Sequence, residues 1–384
     1  MNTFSALEPF TSGLQRKSEK DSSGSHKKLG YLMDESRATR LVTKVTSSTY
    51  HPLHVTRAEV FLTSACNMDC CYCKSTHHPM PEWDENSLYT LLETLGDRGT
   101  GHVQWTGGEV TTHPGLRDFI SFSHKAGMNN SISTNGTAAP AVYLALAEAG
   151  VSHFSISFDH PEQSFFDNLT RTKGQWSEIS ETIGQLCRCR KRDYRIVINT
   201  ILTKASVLSF MENNAKWLRE FLKWCMNIGA DDFKFLPVST ERFANLFPNR
   251  GMRERFVNIC ASYVPPEYGF FHYRMTMLQQ GGHGLHGRRH HTCFHFLDDR
   301  TYDSLGAYPC IIHLREGGKR LYYHSDPPGK KQEKAAKFFH TDRAANPICH
   351  AFCFDVYRAL SDRVKSLIQQ ENRYATAENE MVSG

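Results

Sequence analysis

Four cysteines fall within eight positions in the stretch SACNMDCCYCK, residues 64–74. Thiolates packed this closely bind soft metal ions or iron-sulfur clusters. The frame Cys66, Cys70, Cys73 is C-x3-C-x2-C and leaves Cys71 surplus. The count of three is informative, because a four-iron cluster held by three cysteines keeps one iron open, as a catalytic zinc site keeps one position open. A zinc knuckle using His77 or His78 as fourth ligand draws on the same thiols. Spacing alone leaves both readings open.

Such a loop needs elements to hold it. Short apolar runs alternate with amphipathic ones from Val55: strand-like segments at 58–63, 102–106, 130–135, 152–158, 195–202 and 232–238, with helical patterns at 85–97, 115–127, 139–149, 175–190 and 207–228. Strand and helix in strict alternation imply parallel βαβ units, and six of them make a partial (β/α)6 parallel-sheet barrel of the α/β class. The cysteine loop follows the first strand, at the C-terminal mouth where such sheets carry their sites. The alternation is lost after about residue 263, which sets the expected organisation: a disordered or weakly ordered extension over 1–54, the barrel over 55–262, a small domain over 263–372 and a polar tail over 373–384.

The chain has 384 residues, 40% of them apolar, enough for a large core. Its 45 basic and 40 acidic residues leave a net charge of +5, too mild to argue for nucleic acid. No stretch approaches the ~20 apolar residues of a membrane span, and the N-terminus has no apolar segment of signal-peptide length. A cytoplasmic protein without a membrane partner is the expectation. In that compartment the 12 cysteines point to metal or cluster ligation more than to disulfides.

With Tyr72 before Cys73, the cysteine frame resembles the signature of the radical S-adenosylmethionine (SAM) superfamily, C-x3-C-x-aromatic-C. QWTGGEVTTHPGL (104–116) looks like that family's glycine-glycine-glutamate segment, with Val110 where relatives carry proline. The resemblance implies a 4Fe-4S cluster on Cys66, Cys70 and Cys73 that binds SAM and cleaves it reductively to a 5′-deoxyadenosyl radical. It also implies SAM contacts from Gly107, Gly108 and Glu109 to the ammonium, from Ser133 and Asn135 in SISTNGT, and from Asp159 at a strand end. Arg171 would meet the SAM carboxylate, since guanidinium pairs with carboxylate in bidentate fashion, while Asn199 and Leu236 would approach ribose and adenine. Arg171 is followed by Thr172, Lys173 and Gly174, where relatives have glycine directly.

A second set, Cys293, Cys310, Cys349 and Cys353, has the frame C-x16-C-x38-C-x3-C. The stretch YDSLGAYPC resembles the hairpin of SPASM and twitch extensions, which hold auxiliary 4Fe-4S clusters. Four cysteines rather than seven make a shorter twitch-like domain the better match, while a four-thiolate structural zinc is the alternative. GGHGLHGRRHHTC (281–293) reads as a loop over the barrel mouth. Cys187 and Cys189 close a basic helix end, and Cys225 and Cys260 read as small buried apolar residues.

The implied activity is a radical SAM oxidoreductase that abstracts hydrogen from an unactivated C–H bond, with a flavodoxin or ferredoxin-type electron donor as partner. The substrate expected first is a ribosomally made peptide, in natural-product maturation. A small metabolite such as an aminosugar or nucleotide is the second possibility, and a zinc-stabilised binding module without catalysis the competitor from another class. No residue is assigned as a catalytic hydrogen donor.

Overall fold

Alternation along the strands sorts side chains between two environments. Outward residues such as Phe154, Ile156, Ile198, Phe233 and Phe235 are buried under helices in the main core. The opposite face carries Arg57, Glu59, Gln104, Ser131, Ser133, Ser155, Asn199 and Lys234, an inner lining of polar groups. A parallel sheet covered on both faces is normally apolar throughout, so a polar inner face marks a lumen kept for something other than packing.

The computed structural model describes residues 35–47, 51–74, 80–189, 193–238, 243–285 and 287–382. Strands β1 (Arg57–Thr63), β2 (His102–Gly107), β3 (Asn129–Thr134), β4 (Val151–Ser157), β5 (Arg195–Leu202) and β6 (Asp232–Pro237) pair in sequence order, all parallel. The six expected strands and the helices between them are present, and their arc is the open barrel the alternation predicts. Local chemistry fixes several helix starts. The Asp84 carboxylate accepts from Ser87 N at 2.8 Å, and Thr203 and Ser206 form a reciprocal capping box.

The sheet does not stop at six. Strand β7 (Asp299–Asp303) pairs parallel with β1, then turns into β8 (Gly306–Tyr308) and the two-residue β9 (Tyr322–Tyr323), both antiparallel. The C-terminal segment is therefore built onto the barrel sheet. Helix Gly269–Gln279, which lies beyond the expected boundary at 263, packs on β6, its Phe271 ring 4.5 Å from Phe233 and 5.8 Å from Phe235. The buried Arg274–Asp355 pair and Tyr357, stacked on His295 at 3.5 Å, fill the side the arc leaves open.

The expected weakly ordered extension contains a helix, Glu35–Thr46. Its Ala38, Leu41 and Val42 are buried, and Arg37 bonds Asp298 at 2.8 Å and His295 at 2.9 Å. A helix of this length is marginal alone, and tertiary packing on the C-terminal helix Asp355–Val382 supplies what its polar sequence does not. The long helix Lys204–Asn227 is broken in its middle, where Asn213, Asn214 and Ala215 are left-handed. Asn tolerates that conformation, and Arg255 bonds the Asn214 side chain at 2.7 Å.

Candidate active site

The cysteine loop is positioned by backbone. Gly108 N donates to Thr63 O at 2.7 Å and Glu109 N to Ala65 O at 2.8 Å, so the end of β2 is stitched to the chain leading into Cys66. Neither glycine leaves room for a side chain: a Cβ on Gly107 would stand 2.4 Å from Thr63 O, and one on Gly108 2.1 Å from Ala65 O. Gly107 also has φ 144°, where L side chains are strained. The glycine pair thus lets two strand ends meet at backbone distance.

Glu109 lies on the far side of that junction, fully buried. Its Oε1 accepts from Thr111 N at 3.0 Å, Thr111 Oγ1 at 2.6 Å and Thr134 Oγ1 at 2.8 Å, and its Oε2 from Asn135 N at 2.6 Å. Both oxygens are engaged in tying β2 to β3, so the contact expected with an ammonium would be made by a carboxylate that these bonds already orient. Asn135 continues the tie. Its Nδ2 donates to Asn67 Oδ1 at 2.7 Å and reaches Cys66 Sγ at 4.0 Å. Ser133, one turn of the pleat below, accepts from Gln104 Nε2 at 3.2 Å.

Asp159 holds the other end of the loop. Its Oδ2 accepts from the Tyr72 hydroxyl and its Oδ1 from Ile201 N at 2.8 Å. Burial raises its carboxyl to about 6, countered by those two bonds. The Cys71 amide donates to Leu169 O at 2.8 Å while its side chain is exposed. Arg171, left-handed at φ 53° as the cap of helix Gln163–Thr170, is exposed and pairs with Asp69 of the same loop at 3.0 Å. Asn199 donates to Ser155 Oγ at 2.8 Å, and its buried Oδ1 has no partner among the described residues. Leu236 is half-buried on β6.

Cys66, Cys70 and Cys73 are all partly exposed. Burial raises the thiols of Cys66 and Cys70, and the charge of neighbouring carboxylates and of one another raises them further. Thiolates here need a cation to offset that mutual repulsion. His77 and His78, the alternative zinc ligands, lie outside the described residues.

The thiols of the second set lie near enough to influence one another's charge. Cys353 lies within electrostatic reach of Cys293, Cys349 and Cys310, and Cys310 within reach of Cys349 and Cys293. Burial, with Cys293 adding to it, pushes Cys349 up to about 12. Each of the four sits beside a short turn: Cys293 before Phe294–Leu297, Cys310 before Ile311–Arg315, and Cys349 and Cys353 within and after Pro347–Phe352. Among the described residues, no three of His, Cys, Asp or Glu are grouped to hold a single metal ion.

The histidine-rich segment joins the two halves. His283 Nε2 bonds Pro237 O at 2.9 Å, and Gly284 N donates to Cys353 O at 2.8 Å, so the segment runs from the end of β6 to the last cysteine. His290 pairs with Asp342, and His286 lies outside the described residues. Cys225 and Cys260 are fully buried, as small apolar residues would be. Lys74, Glu316 and His313 escaped the sequence reading. Lys74 pairs with Glu316 and lies 5.2 Å over the Phe352 ring, linking the residue after Cys73 to the residue before Cys353. His313 Nε2 is 3.4 Å from Cys349 Sγ. Only the adjacency of Lys74 to a cysteine was visible in the sequence.

Among curated proteins, AdoMet-dependent heme synthase of Nitratidesulfovibrio vulgaris is 28% identical over 190 residues, 48% of this chain and 49% of the relative. PqqA peptide cyclase of Ruegeria pomeroyi is 22% identical over 245 residues, 58% of this chain and 63% of the relative. The chain spans about half the length of the first of these. Among solved structures, Streptococcus suis SuiB bound to precursor peptide SuiA superposes with a TM-score of 0.53 at 13% identity, over 77% of this chain and 65% of that one. Histidine-tagged anSMEcpe with bound AdoMet does so with 0.53 at 15% identity, over 85% and 99%. The likeness to these two structures is one of fold. Residues 60–206 match the family model described as Radical SAM superfamily. That match begins inside β1, which launches the cysteine loop, and ends just past β5, so it spans the part of the barrel where the thiols, the glycine pair and Asp159 meet; over these residues the chain is similar to the radical SAM superfamily.

Proposed function

We propose that the chain is an oxidoreductase of this superfamily. Cys66, Cys70 and Cys73 would hold a 4Fe-4S cluster, and Cys293, Cys310, Cys349 and Cys353 a second one in a twitch-like extension. The observation that carries the first assignment is the backbone contact of Gly107 and Gly108 with Thr63 and Ala65, too close to admit any Cβ, which holds the end of β2 against the start of the cysteine loop. Bound there, cluster and SAM together supply a 5′-deoxyadenosyl radical able to take hydrogen from an unactivated C–H bond. The chain's own residues do the positioning. Glu109 and Asn135 fix the start of the loop, Asp159 fixes Tyr72 near its end, and Arg171, exposed and paired with Asp69, would exchange that partner for the SAM carboxylate. The four C-terminal thiols, one buried and three partly so, would ionise only with a cation to offset burial and their mutual repulsion as thiolates.

The substrate we infer is a ribosomally made peptide, supported by the similarity to PqqA peptide cyclase. A small metabolite is the second reading, favoured by a relative named S-adenosylmethionine-dependent nucleotide dehydratase from Flammeovirga pacifica, 24% identical over 226 residues. A flavodoxin or ferredoxin-type protein would supply the electron.

Anaerobic reconstitution with iron and sulfide, followed by SAM and dithionite, tests the proposal through 5′-deoxyadenosine. Cys66→Ala, Cys70→Ala and Cys73→Ala should each abolish its formation. Cys349→Ala should retain it and lose about half the iron, since one of two clusters goes. Recovery of zinc with no 5′-deoxyadenosine would overturn the enzyme reading, and full iron content in Cys349→Ala would overturn the second cluster.

A further inference from the structure

The lumen lining divides into a satisfied half and an unsatisfied half. On β2 and β3 the polar groups bond one another: His102 to Ser131 at 2.7 Å, Ser131 to Gln104 at 2.6 Å and Gln104 to Ser133 at 3.2 Å. On β4, β5 and β6 the bonding is incomplete: Asn199 donates to Ser155 Oγ at 2.8 Å. His153 and Lys234 make no hydrogen bond or ion pair among the described residues, and Asn199, which is the register partner of Lys234, has its Oδ1 unpaired.

The lumen's acidic groups are already engaged. Glu59 and Asp299 bond Arg57 at 3.0 and 2.6 Å, Asp355 pairs with Arg274, and Asp232 Oδ1 accepts from Phe233 N at 2.8 Å. Lys234 is left with the Phe270 ring, 5.3 Å from its Nζ. Burial and Arg274 lower its ammonium to about 8, so it still carries charge at neutral pH, while burial and Arg195 lower His153 well below its usual range and leave it a neutral imidazole. A half-buried ammonium without a counter-ion is costly, and sites that tolerate one hold it for an anionic ligand.

We propose that the lumen face of β4–β6 is a substrate subsite for an anionic group, a carboxylate or phosphate, which binds Lys234 while a neighbouring hydroxyl or amine of the ligand donates to Asn199 Oδ1, the residue in register with it. Calling the ligand a substrate rests on the radical SAM reading; the anion site itself does not. It deepens that reading because Lys234 lies two residues below Leu236 at the mouth, inside the barrel where the attacked carbon must be placed.

The test is thermal unfolding of the full chain at constant ionic strength in chloride, with inorganic phosphate, acetate or SAM as added probes. Lys234→Met should raise the midpoint without ligand, by about 2 °C, because it removes an unpaired charge. Wild type should be stabilised saturably by phosphate, pointing to a phosphorylated small molecule, or by acetate, pointing to a carboxylate such as a peptide supplies. That stabilisation should vanish in Lys234→Met and persist in Lys234→Arg. A lower midpoint in Lys234→Met, or anion stabilisation undiminished by it, would overturn the subsite. If SAM is the ligand whose effect depends on Lys234, the anion is the cofactor's carboxylate and the substrate assignment falls. None of these readouts uses 5′-deoxyadenosine, so the subsite and the activity succeed or fail separately.

Discussion

Gly108 has nowhere to put a methyl group. The atoms a Cβ would strike are the backbone of Ala65 and Ser64, which cannot swing aside as a side chain would. Gly108→Ala should therefore destabilise the protein by about 1–3 kcal/mol and displace the cysteine loop. Urea denaturation and iron content after reconstitution check both effects, and a variant with normal iron would show that the close approach is dispensable. Glu109, its neighbour, shows the limit of reading residues singly. A carboxylate beside two glycines was visible in the sequence as part of a site. That it turns inward to bond Thr111, Thr134 and Asn135 depends on where β3 ends, which no residue type announces.

At the scale of elements, β1 to β6 were legible because each alternates apolar and polar residues between turn signals. Strand β7 was not. Its sequence, DRTYD, looks like a loop, yet all five residues are buried. Ion pairs replace the apolar face, Asp299 with Arg57 of β1 and Asp303 with Arg320. Such a strand exists only where its partners have already been placed. Arg57→Met should accordingly cost about 3–5 kcal/mol, since it strands two buried carboxylates, Glu59 and Asp299. Urea denaturation measures it, and a cost below about 1 kcal/mol would show that β7 holds to β1 by its backbone ladder alone. The helix Glu35–Thr46 escaped for a related reason: its buried stripe is three residues wide and gains its stability from a C-terminal helix far away in the chain.

For the whole molecule, the polar lumen sets the response to acid. Burial, with Arg57 nearby, holds the His102 imidazole at about 3, against an ordinary value of 6.5. The unfolded chain binds a proton there that the folded one refuses. The stability associated with this group is therefore complete above pH 6.5, falls as pH drops, and is fully lost near pH 3, with a slope of up to about 1.4 kcal/mol per pH unit. His102→Gln should flatten the fall in unfolding free energy across that window by as much, measured by urea denaturation at successive pH values. An unchanged slope would show that the imidazole takes up its proton in the folded state.

The nine-strand order has a last consequence, for how a chain-like ligand can be read. A peptide can be recognised by laying it along a free strand, where backbone bonds supply the affinity. Neither border of this sheet offers the room. β6 ends in Pro237, which has no N–H to donate, and is overlaid by helix Gly269–Gln279; β9, at the other border, is two residues long. Were the substrate a peptide, its recognition would fall to side chains rather than to a strand added to the described sheet.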